Sequence, residues 1–123
     1  MNNGTIFNFI NDPHFYGGTN QYYKHFLGFL YTDGVKALAD TFNCYWLVDT
    51  IVSYQYRVNL KDGFYVVYVE VDEQGNCKFA IADDVDSGQL VNVHARQDFT
   101  TDLPVGKFRL YVVDGVVLLP SEY

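Results

Sequence analysis

Apolar positions along this chain change their spacing at about residue 60: upstream they recur as on a helix face, downstream at every second residue as on a strand. The most periodic stretch is 32–56. Thr32 is placed to cap a helix, with Asp33 in its first turn where the helix dipole favours an acid. Val35, Leu38, Ala39 and Phe42 make one apolar stripe, and Lys36 and Asp40 are spaced to pair on the opposite side. Asn43 ends this helix and begins the next. There Cys44, Leu47, Val48, Ile51 and Gln55 share a face, with Trp46, Asp49, Thr50 and Ser53 around the other side. β-Branched residues make a strand the competing reading, but Asp49, Ser53 and Gln55 do not alternate, which favours a helix. Upstream, Thr19 can cap a short helix over 20–29, carrying Tyr23, Phe26, Leu27 and Leu30 at helical spacing. Before it lie the aromatics Phe7, Phe9, Phe15 and Tyr16 and a Gly17-Gly18 stop.

Downstream, Phe64–Val71 is apolar on both faces until Glu70 and reads as a central, covered strand. The acidic loop 72–76 turns the chain into a strand on which Cys77, Phe79 and Ile81 alternate with Lys78, Ala80 and Ala82. After Asp86-Ser87-Gly88, Val91, Val93 and Ala95 face in while Asn92, His94 and Arg96 face out. Residues 107–113 make another strand. Asp114-Gly115 between two apolar runs is the strongest hairpin signal, a type I′ turn into a last strand over 116–119. The expected fold is a single α+β domain over 1–123 in two layers. A mainly helical half, 1–60, packs on one face of a four- to five-stranded antiparallel meander formed by 61–123.

Composition sharpens this picture. Aromatic residues are 18% of the chain, with eleven Tyr and ten Phe, too many for one small core to hide. The formal net charge of −7 argues against a phosphate-backbone ligand, so no direct nucleic-acid binding is expected. Cys44 and Cys77 have no CxxC or Cys/His spacing and read as buried free thiols of a reducing compartment. Neither a secretory signal nor an apolar run of membrane-spanning length is visible, so the expected location is the cytoplasm, without a membrane partner.

Catalytic chemistry finds little purchase. Ser53, Ser87 and Ser121 are the only serines and none sits in a nucleophile elbow. His14, His25 and His94 have no metal spacing, and no glycine pattern cradles a phosphate, so no metal or cofactor is expected. The acids group more clearly: Glu70, Asp72 and Glu73 end one strand, and Asp83, Asp84 and Asp86 end its hairpin partner. They read either as a solubilising surface or as a surface that docks a basic protein. Tyr23, Asp33, Trp46, Asp49 and Tyr54 form a second candidate set, as a contact point or as the lining of a pocket between helices and sheet.

The block YTDGVKALADTFNCYWLVDTIVSYQ and the ending LYVVDGVVLLPSEY resemble an uncharacterised bacterial family found in cyanobacteria, phages and plasmids. Its members read near LYTDGVKYLAExAGxYWLxDAIxSYQ and finish in DGVLLLPSEY. The likeness covers 22–55 and 110–123, and Phe42-Asn43-Cys44 stands where the family has Ala-Gly before its Tyr-Trp pair. The resemblance implies no catalytic residue. It implies an accessory role on a mobile element, such as countering a host defence. The expected function is therefore a small, acidic, non-catalytic protein that inhibits or modulates a basic macromolecular partner, such as a nucleic-acid-handling, CRISPR-type complex. The alternatives are a small enzyme or ligand-binding domain with an aromatic pocket, and a homo-oligomer built through exposed aromatics.

Overall fold

The computed structural model describes residues 22–25, 28–57, 63–87 and 89–123. The expectations for 1–19, including the aromatics there, His14 and the Thr19 cap, lie outside them. In chain order the elements are β1 (Tyr22–Lys24), β2 (Leu30–Thr32), α1 (Asp33–Phe42), α2 (Tyr45–Arg57), β3 (Phe64–Val71), β4 (Asn76–Asp86), β5 (Gln89–Thr100), β6 (Gly106–Val113), β7 (Val116–Leu118) and a closing 3-10 turn, Pro120–Glu122. The seven strands form one sheet in the order β1-β2-β7-β6-β3-β4-β5.

This corrects the expected four- to five-stranded antiparallel meander behind N-terminal helices in three ways. First, the stretch expected to be a helix over 20–29 contributes strand: Tyr22 pairs with Thr32, Tyr23 with Tyr31 and Lys24 with Leu30. The bend between them uses Gly28, whose φ of 92° suits glycine. Second, the sheet is mixed, because β2 runs parallel to β7, with Leu30 opposite Val116 and Tyr31 opposite Val117. Third, β6 returns beside β3 instead of following β5 at the edge. The connection over 101–105 passes the β3–β4 turn, where the Thr101 amide donates to the Gly75 carbonyl at 2.9 Å. Gly75 has φ 80°, and a Cβ there would lie 2.9 Å from the Thr101 carbonyl oxygen, so a side chain is excluded by both strain and space.

Local chemistry places α1 where its caps predict, and α2 follows from Tyr45, with the Leu47 amide donating to the Cys44 carbonyl. The Thr32 hydroxyl accepts the Val35 amide at 3.2 Å, and Asn43 ends α1 in the left-handed region at φ 51°. Lys36 and Asp40 pair at 2.7 Å across one helical turn. The apolar stripes of both helices cover one face of the sheet. Val35, Leu38, Leu47, Val48, Ile51 and Val52 join Val67, Val69, Phe79, Ile81, Leu110, Val112 and Val117 in one core. β3 is central in the sheet as expected, but helices cover only one of its faces: Val67, Val69 and Val71 are buried beneath them, while on the other face Val66 is buried and Phe64, Tyr68 and Glu70 are half-buried. Asp114 and Gly115, at φ 49° and 82°, form the β6–β7 turn with the positive torsions a type I′ turn needs.

The two ends of the described chain meet at the start of α1. The Glu122 carboxylate, 8% exposed, accepts the Thr32 hydroxyl at 2.6 Å, the Leu119 amide at 2.9 Å and the Gly34 amide at 3.3 Å. A buried carboxylate is tolerated here because it sits at a helix N-terminus and each oxygen accepts at least one hydrogen bond. Gly34 is required by this contact: a Cβ would come within 2.6 Å of the Glu122 carboxylate.

Candidate functional site

The face of the sheet turned away from α1 and α2 carries tyrosines and charged side chains in adjacent rows. Its composition follows from the two-residue period of the strands and from their register. On β3 the outward positions are Phe64, Val66, Tyr68 and Glu70; on β6 they are Lys107, Arg109, Tyr111 and Val113. Register aligns these in rows across the sheet. One row runs Lys107, Glu70, Lys78, Asp98, and the next Arg109, Tyr68, Ala80, Arg96. Four of the eight basic residues of the chain thus lie in two adjacent rows. The third row, Tyr111, Val66, Ala82, Val93, is apolar and aromatic.

Contacts knit the rows together. The Tyr68 hydroxyl donates to Glu70 at 2.9 Å, and Lys107 stands 3.9 Å from the same carboxylate. Burial, aided by that bond to Glu70, pushes the Tyr68 phenol up to about 12, so it remains a neutral donor through the physiological range. Beside it lies a groove of about 510 Å³ lined by Tyr68, Glu70, Lys78, Ala80, Leu90, Arg96 and Asp98, among others. At the other end of the face, the rings of Phe64, Tyr111 and Tyr123 pack together with centroids 5.0 to 5.5 Å apart. Tyr123 is 72% exposed. The face is therefore aromatic at one end and charged at the other, with Tyr68 between.

The residues singled out from sequence fall elsewhere for the most part. Glu70 alone of the acidic set lines the groove. Asp72 organises the β3–β4 turn, accepting the Gln74 and Asn76 amides at 2.9 Å, and these bonds, the Asn76 amide foremost, hold its carboxyl below the usual range. Glu73 is exposed in the same turn. Val71 pairs with Cys77, so Asp83, Asp84 and Asp86 sit at the far end of the β3–β4 pair from that turn. Asp83 accepts from His94 at 2.7 Å and from the Asn92 side chain at 3.1 Å, which holds its carboxyl low. Asp84 accepts the adjacent Val85 amide, and Asp86 the Ser87 hydroxyl at 3.4 Å.

The second set belongs to the helix side and does not converge. Tyr23 on β1 stacks on Tyr31, with the Lys36 ammonium 5.5 Å from its ring centre. Asp33 accepts the Gly34 amide in the first turn of α1. Trp46 meets Phe99 edge-on at 5.2 Å, while Tyr54 stacks on Phe79 at 5.8 Å and donates to Gln97. Asp49 pairs with His25 at 2.8 Å. Both cysteines are buried free thiols, pushed up to about 11 by that burial, so neither ionises near neutrality.

Sequence reading missed Tyr68, Lys78, Arg96, Lys107, Arg109 and the ring cluster. Their signal was the outward half of each strand pattern, which becomes a site only when β6 is known to lie beside β3. One more expectation needs correction here: Val91, Val93 and Ala95 do not share an inward face. An irregularity opposite Ile81 and Ala82 makes Ala95 pair with Ile81 and Val93 with Ala82, so Val93 turns to the helix-free side.

Fold and face together define a helix-backed mixed-sheet domain with one face that no helix among the described residues covers. The chain belongs to DUF6876, a family of unknown function, whose model matches residues 11–123. No curated protein and no solved structure matches the chain. No helix among the described residues is long and apolar enough to cross a membrane.

Proposed function

We propose that this chain is a non-catalytic binding protein that docks a protein partner on the helix-free face of its sheet. The observation that carries this reading is the juxtaposition on one face of a three-ring aromatic cluster, an arginine-flanked tyrosine and a rim of mixed charge. Tyr and Arg are the residues that most often anchor interfaces, and an aromatic patch with a charged rim is how such surfaces are built. Glu70 and Asp98 among the cations, on a chain of net charge −7, favour a protein over a polyanion. The acidic residues Asp83, Asp84 and Asp86 would steer a basic partner towards this face. Two buried free thiols support a cytoplasmic setting. The host-defence complex suggested by the resemblance remains part of the proposal as the class of partner, and rests on that resemblance alone.

Affinity capture from host lysate at low and high salt tests this, with Arg109→Glu/Tyr123→Ala beside the wild type and a Lys reversal of Asp84 and Asp86 as a third arm. The expected result is a captured protein lost with the Arg109/Tyr123 variant and recovered more slowly with the Asp84/Asp86 variant. A protein captured equally by all three overturns the docking face.

A further inference from the structure

We infer that β5 pairs with β5 of a second copy of this chain, joining two sheets edge to edge about a two-fold axis at Gln97. β5 is the end strand of the sheet, twelve residues long, with β4 on one side and no neighbour on the other among the described residues. Its residues 96–98 and 100 are exposed. A long open edge is a ready template for another strand, and proteins normally block it with charges or a bulge. Here the irregularity falls near His94 and leaves 95–100 regular, with Cys77 opposite Phe99, Phe79 opposite Gln97 and Ile81 opposite Ala95.

The charges on that regular segment do not block self-pairing; they specify it. A two-fold interface must be self-complementary, residue against symmetry mate. An antiparallel ladder centred on Gln97 sets Arg96 against Asp98 of the second copy, and Asp98 against its Arg96, two opposite-charge pairs on the helix-free face. On the helix-covered face it sets Ala95 against Phe99, a small residue beside a large one, at both ends. Centring on Ala95 instead would oppose Arg96 to His94, and centring on Phe99 would oppose Asp98 to Thr100, so neither alternative register gains a charge pair. The occupant of this edge is therefore a copy of the same chain. Arg96 and Asp98 also border the groove of the docking face, but the test of that face uses Arg109 and Tyr123, away from β5, so the two readings fail separately.

The experiment is molar mass by light scattering and sedimentation across a concentration series. Wild type is expected to be a dimer. Arg96→Asp and Asp98→Arg, each opposing like charges twice across the axis, should weaken dimerisation at least roughly tenfold. The double swap, Arg96→Asp with Asp98→Arg, should restore it. Both positions are exposed, and circular dichroism checks that the variants fold. A monomeric wild type at all concentrations overturns the inference, as does a dimer indifferent to either single reversal or a double swap that stays as weak as the singles.

Discussion

The two faces of the sheet are made by the same strands and differ in everything else. On β6, Leu110 is fully buried against the helices, while its neighbour Arg109 is exposed on the other side. The helix-covered face holds Val67, Val69, Phe79, Ile81, Leu110 and Val112, all 2% exposed or less. The helix-free face interleaves tyrosine and charge, with only Val66, Ala80, Ala82 and Leu118 buried among them. One face therefore holds the fold together, and no helix among the described residues covers the other. A polar side chain intrudes on the covered side: Gln55 on α2 is fully buried, and its amide has no hydrogen-bond partner among the described residues. Such a group costs about 1–3 kcal/mol.

The sharpest way to break the contrast is a pair of substitutions one residue apart. Leu110→Ala should lose about 2–5 kcal/mol of unfolding free energy, through lost burial and the cavity left behind. Arg109→Ala should stay within about 0.5 kcal/mol. Denaturant titration reads both, and similar losses would abolish the distinction between the faces.

Next in size is the carboxylate at the start of α1. Glu122→Ala removes the acceptor of the Leu119 amide and the Thr32 hydroxyl, leaving the Gly34 amide only Asp33, and should cost about 1–3 kcal/mol. Gly34→Ala pushes a methyl group against the same carboxylate and should cost a comparable amount. Because both act on one contact, the double variant should lose clearly less than the sum, as thermal or denaturant unfolding of the four proteins would show. Full additivity would mean that Gly34 is constrained by something other than Glu122.

The smallest effect concerns Asp83. Its carboxyl is held low, chiefly by His94, so its contribution to stability is present above the unfolded value of about 3.9 and fades as pH falls through the lower folded value. Wild type should keep a slight advantage over Asp83→Asn at neutral pH and lose it in that acid window. The pair is solvent-exposed, so the advantage is small and screened by salt. An advantage that persisted at pH 2 would assign it to something other than the ionised carboxylate.

Much of the helix-covered face was legible in the sequence because its causes are local. The Thr32 cap, the αL residue Asn43, the two-faced apolar run of β3 and the Asp114-Gly115 turn all act within a few residues of themselves. What was not legible depends on partners distant in the chain. β1 and β2 are three residues each, too short for any period to show, and β2 exists because β7 lies beside it. The order β6-β3-β4 and the irregularity at His94 likewise need the assembled sheet, and with them the rows that make the helix-free face. The acids were visible as a group, but Asp72 and Asp83 turned out to be held by turn amides and by His94 and Asn92.

The clasp between Thr32 and Glu122 spans 90 residues of sequence, and β2 must wait for β7 to have a parallel neighbour. Contacts so distant along the chain are slow to close and cannot form during synthesis until β7 and Glu122 have left the ribosome. Until then α1 has a hydroxyl cap but no carboxylate behind it, and one side of β2 has nothing to pair with. Residues Leu119 and Glu122 thus secure the start of a helix that lies about 90 positions before them.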